Sequence, residues 1–303
     1  MVMKILITGG SGFIATYLVK HLLANNHNVK ILDLKEPKIQ HKNLEYVNKS
    51  ILDNITMDIK GCDALFHFAA LLGVENSDKK PIETMKINLE GSVNVFKSAI
   101  DAEVKRMVYS SSSEVYGEPR ELPIREDSVK GPVSTYGVSK LAAEIYAKAF
   151  NHEFGTDIKI VRFFNVYGPG QESNWVVPIF INKALRNEPI KVFGNGNQTR
   201  CFTYVEDIAD GVLKVFEKGQ KGEAYNIGNN QPTTILELAK LIKELTKSKS
   251  EVVKVGFGKE TRLKEREIEY RIPDISKMKS LGWQPKTMIR EGIKKILESI
   301  NEY

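Results

Sequence analysis

Lys4-Ile-Leu-Ile-Thr8-Gly9-Gly10-Ser11-Gly12-Phe13-Ile14-Ala15 is the stretch on which the fold turns. Lys4–Thr8 reads as a β-strand, and a helical pattern covers 12–25. Between them lies a glycine turn. Glycine lets the chain turn tightly and brings backbone N–H groups up to a pyrophosphate, whose charge the following helix N-terminus stabilises. Ala15 stands at the third fingerprint position, where close helix packing demands a small residue and tolerates alanine. Asp33 closes the next expected strand, Val29–Asp33. A carboxylate there accepts hydrogen bonds from ribose hydroxyls and repels a 2′-phosphate, so NAD is favoured over NADP, a preference that nearby Lys35 tempers.

Outward from this turn, β-rich runs alternate with amphipathic helices, the pattern of a parallel sheet covered on both faces. Further strands are expected at Leu44–Val47, Ala64–Phe68, Arg106–Ser110 and Ile158–Phe163, and further helices at 81–102 and 136–154. The fold class is therefore α/β, a Rossmann-type doubly wound parallel sheet. After Asn165 the regularity changes, with turns at Gly168-Pro169-Gly170 and Gly194-Asn195-Gly196, and a smaller C-terminal α/β lobe is expected there.

Composition excludes several classes of function. With 303 residues, 42% hydrophobic and 27% charged, the chain can bury a large core in two lobes and shows no low-complexity tract. No apolar run reaches the roughly 18–20 residues that span a bilayer, so no membrane association and a cytoplasmic location are expected. Residues 236–303 carry 16 Lys/Arg against 11 Asp/Glu, but the signs alternate along helical segments without interleaved aromatic residues, which argues against nucleic-acid binding. Cys62 and Cys201 lack metal or redox spacing and read as packed free thiols; no metal site is expected. His67, inside an apolar strand, reads as a hydrogen-bonded core histidine.

Tyr136-Gly-Val-Ser-Lys140 puts a phenol and an ammonium four residues apart on one helix face. A nearby ammonium favours phenolate, which would lower the phenol toward the range of a general base. The hydroxyl-rich segment Tyr109–Gly117 ends the preceding strand, at the sheet edge where open α/β folds bind ligands.

In TGGSGFIA (8–15), ALFHFAA (64–70), INLEGS (87–92), SSSSEVYGEP (110–119), YGVSK (136–140), RFFNVYGPG (162–170), GNGNQTRCFTYVEDIADGV (194–212), YNIG (225–228) and PDISKMKSLGW (273–283), the chain resembles the extended short-chain dehydrogenases of the NAD-dependent epimerase/dehydratase family. The resemblance covers essentially the whole length. It implies Ser112 as the catalytic hydroxyl, Tyr136 as the base and Lys140 as its electrostatic partner. NAD would lie on Gly9, Gly12, Phe13, Ile14, Asp33, Ala69, Asn88, Tyr136 and Lys140. Ser112, Asn165 and Arg200 would hold a nucleotide sugar, a UDP-sugar being favoured. It divides the chain into an NAD-binding domain at 1–165, to which about 203–228 returns, and a nucleotide-sugar lobe at 166–303. Homodimers paired through the helices at 81–102 and 136–154 are expected.

Three departures qualify the resemblance. Ser50 stands where relatives carry an Asp near the adenine, Ala15 replaces a glycine, and Lys264 replaces a second phosphate-binding Arg, a task open to Arg262 or Arg266. The reaction implied begins with oxidation at C4 of the sugar. Epimerisation at C4, in the manner of UDP-glucose 4-epimerases, ranks first. A 4,6-dehydratase or a UDP-glucuronate decarboxylase is the alternative, because Ser113-Glu114 resembles their Ser-Glu pair and Glu114 would then be catalytic. A non-catalytic NAD-binding regulator is the remaining reading, against which Ser112, Tyr136 and Lys140 argue.

Overall fold

The computed structural model describes residues 1–256 and 268–301. From the N-terminus the elements are β1 (Lys4–Thr8), α1 (Phe13–Ala24), β2 (Asn28–Asp33), β3 (Leu44–Asn48), α2 (Thr56–Ile59), β4 (Ala64–His67), α3 (Val74–Lys79), α4 (Pro81–Met85), a π-helical turn (Lys86–Glu90), α5 (Gly91–Asp101), β5 (Arg106–Ser112), α6 (Thr135–Glu153) and β6 (Asp157–Phe163). The second half contributes β7 (Val166–Tyr167), α7 (Val176–Leu185), β8 (Ile190–Phe193), β9 (Thr199–Arg200), β10 (Thr203–Tyr204), α8 (Val205–Lys218), β11 (Ala224–Ile227), β12 (Thr233–Thr234), α9 (Ile235–Leu245), β13 (Val252–Val255), β14 (Tyr270–Arg271), α10 (Ser276–Ser280) and α11 (Ile289–Asn301).

Seven strands form one parallel sheet in the order β3-β2-β1-β4-β5-β6-β11. Ile5, Leu6, Ile7, Leu65 and Phe66 are fully buried, which is why these strands read as continuous apolar runs: helices cover both faces. On one face Leu18, Val19, Leu22 and Leu23 of α1 pack with Ile208, Val212, Val215 and Phe216 of α8. On the other, Val95, Phe96 and Ala99 of α5 meet Ala143 and Ala147 of α6. The winding reverses between β1 and β4, and that reversal opens the crevice at the carboxyl ends of the strands.

The strands fall where the sequence places them, with one addition: β11 joins the sheet beside β6 after the chain has left it for some 60 residues. The helix expected at 81–102 is broken. Pro81 opens α4, the chain widens into the π turn at Lys86–Glu90, and α5 resumes at Gly91. The extra residue of a π turn is accommodated within the coil, so apolar spacing on either side gives no sign of it.

A second core lies beyond the sheet. Phe180, Ile181 and Ala184 of α7, Leu238 and Ile242 of α9 and Ile293 of α11 enclose it, with Ile190 and Val192 of the β8–β13 parallel pair. Thr234 and Glu237 form a reciprocal cap at the start of α9. Cys62 and Cys201 are buried free thiols.

Candidate active site

The glycine turn is shaped for a backbone-to-ligand approach. Gly9 has φ +70°, and a Cβ on it would stand 2.5 Å from the Ala69 amide nitrogen, so only glycine fits between β1 and the segment after β4. Gly12 precedes α1 and brings no side-chain cap. The first amides of α1, those of Phe13 and Ile14 among them, have no intrahelical acceptor, which suits a helix N-terminus to an anion. Ala15 is packed against the sheet, where its methyl group is accommodated.

Asp33 clasps this turn. Its carboxylate accepts from Ser11 N at 3.0 Å and Lys35 N at 2.9 Å, while Ser11 Oγ donates to Lys35 O at 2.6 Å. Each carboxylate oxygen retains a further lone pair. Ser50 is spent on its own turn: its N–H donates to Asp53 at 2.8 Å and its hydroxyl accepts from Leu52 N. The glycine cradle, the open helix end and the carboxylate ending β2 together fit the two phosphates and adenosine ribose of a dinucleotide.

Asn88 owes its position to the π turn. Its side chain accepts from Leu71 N at 2.7 Å and donates to Leu71 O and Ser139 Oγ, and Ser139 donates onward to Tyr136 O at 2.8 Å. The segment after β4 is thereby stitched to the first turn of α6. His67 lies beneath, between Thr8 Oγ1 at 2.7 Å and Ser92 Oγ at 2.8 Å. Burial, then the charge of Lys140, brings it down to about 3, so it is a neutral core histidine.

Ser112 ends β5 and Tyr136 opens α6, where Ser134 Oγ caps the helix by accepting from Gly137 N at 3.1 Å. Tyr136 is 9% exposed and hydrogen-bonds to Ser112. The net lowering of the phenol expected from Lys140 is not what this structure shows, because larger effects of opposite sign outweigh it. Burial, then the negative charge of Glu114, holds the phenol well above the usual range. Lys140 Nζ donates to Ser110 O at 2.7 Å and lies 5.9 Å from the centre of the Tyr136 ring. Burial brings Lys140 itself down to about 7, against the pull of Glu144.

Between β6 and β7, Asn165 takes a left-handed φ of +28°, and its buried Oδ1 has no protein partner among the described residues. Arg200 is buried, not an exposed loop cation, and its Nη1 donates to Thr199 O at 2.9 Å. In register beside it on β14 stands Arg271, which the sequence reading passed over. Arg271 Nη1 donates to Glu114 Oε1 at 2.8 Å, and its buried Nε has no protein partner among the described residues. Only the pairing of β14 with β9 reveals it; in sequence it is one cation of a basic tail. Lys264, Arg262 and Arg266 lie outside the described residues.

The sequence model of the NAD-dependent epimerase/dehydratase family matches residues 5–228. The chain belongs to that family. Over 97% of both chains, this epimerase/dehydratase family member is 37% identical to a putative UDP-glucose 4-epimerase of Methanocaldococcus jannaschii. It is 34% identical to a UDP-N-acetyl-alpha-D-glucosaminuronate decarboxylase of Bacillus cytotoxicus, over 99% of this chain and 98% of the relative. Its fold superposes with a TM-score of 0.92 on the Thermotoga maritima UDP-glucose 4-epimerase solved with UDP-glucose, at 33% identity and over 99% of each chain. Among the described residues no helix is long and apolar enough to cross a membrane, and no cluster of His, Cys, Asp or Glu could hold a metal ion.

Proposed function

We propose that this enzyme is a 4-epimerase of a UDP-hexose that works through a 4-keto sugar. Residues 1–165, with α8 and β11, hold the cofactor: the glycine turn and the start of α1 take its pyrophosphate, Asp33 its adenosine ribose, and Ala69, Asn88 and Lys140 line its other end. When bound, NAD supplies the acceptor for hydride from C4 and returns it to the opposite face. Tyr136 takes the proton of the C4 hydroxyl and gives it back at the end, while Ser112 hydrogen-bonds to the same oxygen. Asn165, through the N–H donors of its side-chain amide, and Arg200 hold the substrate diphosphate, for which a guanidinium fork is suited. We propose further that the enzyme dimerises through α4 and α6, where Ile82, Val138, Ile145 and Tyr146 are exposed.

The observation that carries the choice of epimerisation is the ion pair of Glu114 with Arg271. A 4,6-dehydratase needs a base for the C5 proton, and here that carboxylate is turned to an arginine. Epimerisation needs only the proton exchange at C4 that Ser112 and Tyr136 provide. The same pair supports a second reading. Arg271 Nε, which has no protein partner among the described residues, leaves this guanidinium a donor for a second carboxylate, as on a UDP-uronate, whose C4 oxidation leads to loss of carbon dioxide.

Incubation with UDP-glucose, UDP-glucuronate and dTDP-glucose in heavy water, with products read by mass and NMR, tests the assignment. Inversion at C4 without deuterium at C5 is the expected result. Deuterium at C5 without release of carbon dioxide would establish the dehydratase, and carbon dioxide released from UDP-glucuronate would establish the decarboxylase.

A further inference from the structure

We propose that Glu144 is a positioning residue of this site: its buried carboxylate, held by Arg162 and Ser111, keeps Lys140 as an ammonium. The inference rests on the reading of Lys140 as the electrostatic partner of Tyr136. Tyr136, Lys140 and Glu144 follow one another at intervals of four on α6, so all three share one face of the helix. Lys140 and Glu144 are each 2% exposed.

The carboxylate is held firmly. Arg162 of β6 meets it with two parallel bonds, Nε to Oε1 at 2.9 Å and Nη2 to Oε2 at 2.6 Å, and Ser111 Oγ donates to Oε1 at 2.5 Å. Arg162 is fixed in turn by Nη1, which donates to the Tyr116 hydroxyl at 2.6 Å and to Glu126 O at 2.9 Å. Ser111 is the chain neighbour of Ser110, whose carbonyl accepts from Lys140. Lys140 and Glu144 are thus anchored to adjacent residues of β5.

The charges around Lys140 leave Glu144 little competition. On its own helix stands Tyr136, a neutral phenol. From β5 the Tyr109 ring lies 5.0 Å away, and from β4 comes His67, also neutral. From β6 comes Arg162, a second cation, beyond the carboxylate. Among the described residues Glu144 is the anion that acts on Lys140. Two cations and one carboxylate share a dry interior, and of the two cations lysine is the one that can release a proton. Replacing the carboxylate by a neutral group would leave two buried positive charges, and Lys140 would be neutral near pH 7. A neutral amine no longer favours the phenolate of Tyr136.

The test is a titration of the full-length enzyme carrying 13Cε-labelled lysine, with and without added NAD, Lys140 being assigned by its loss in Lys140→Met. In the parent enzyme the Lys140 signal titrates near neutrality. In Glu144→Gln its midpoint falls by about one pH unit or more, and the pH at which C4 oxidation is lost on the alkaline side falls with it. Glu144→Asp restores both. Arg162→Gln moves the midpoint upward, because the carboxylate is then undivided, and this variant carries the test if Glu144→Gln does not fold. A midpoint unmoved in a folded Glu144→Gln, or in Arg162→Gln, overturns the proposal. The NMR midpoint reads the charge on Lys140 whether or not a sugar is turned over, so midpoints that move as expected without C4 oxidation count against the reaction alone.

Discussion

Arg271 reaches Glu114 at 2.8 Å across 157 residues of chain, joining the loop after β5 to the last strand of the substrate side. The pair stands beside the phenol of Tyr136, which feels Glu114 as a negative charge. Burial and that charge raise the phenol, and a base that must lose its proton works only as pH climbs toward its pKa. Glu114→Gln removes the charge, lowers the phenol and moves the acid limb of the pH–kcat profile to lower pH. The epimer is still formed without deuterium at C5. A limb that stays in place would detach Glu114 from Tyr136, and a variant stalled at the 4-keto sugar would make Glu114 the base of a dehydratase.

Tyr136→Phe removes the proton acceptor for the C4 hydroxyl and leaves the packing of the ring. C4 oxidation should fall by about 10²–10⁴-fold, the usual contribution of general acid–base catalysis. NAD binding, measured by calorimetry, should be nearly unchanged. Joint loss of both would make the residue structural.

Arg200→Ala should raise KM for a UDP-sugar far more than it lowers kcat, because a diphosphate clamp holds ground and transition states alike. The guanidinium also donates to Thr199 O, so circular dichroism must show the β9 region intact. An unchanged KM in a folded variant removes Arg200 from the substrate side.

Asp33 holds the glycine turn by two backbone amides and keeps negative charge at the end of β2. NAD should therefore bind more tightly than NADP, and Asp33→Asn should narrow the gap by admitting the 2′-phosphate. Equal affinities in the parent enzyme would contradict this.

Light scattering at micromolar concentration should return twice the chain mass of 34.2 kDa. Ile145→Glu, placing a charge on the exposed face of α6, should yield the monomer. A parent enzyme of single-chain mass would refute the dimer.

The parallel sheet and the glycine turn were legible because each rests on a local pattern: apolar runs such as Lys4–Thr8, and glycines that no other residue replaces at Gly9. Tyr136 and Lys140 were legible by helical spacing, but the sense of the charge effect on Tyr136 was not, since burial is a property of the folded surroundings. Arg271 and Glu114 meet only because β14 pairs with β9, a register that no sequence interval announces. The π turn around Asn88 was hidden for the opposite reason: it perturbs so short a stretch that helical spacing survives on both sides.

The strand that covers the outer edge of β6 is made after β8, β9 and β10, so a ribosome must release β7 to β10, with α7 and α8, before the central sheet can be completed. A fragment ending near residue 165 would carry β6 as a bare edge, ready to pair with another chain. The two lobes are therefore not interchangeable cassettes. Grafting a relative's second half at a single junction would import a foreign β11 into the sheet, so, on the proposed site, exchanges aimed at substrate preference are better confined to the residues around Asn165 and the β9–β14 pair.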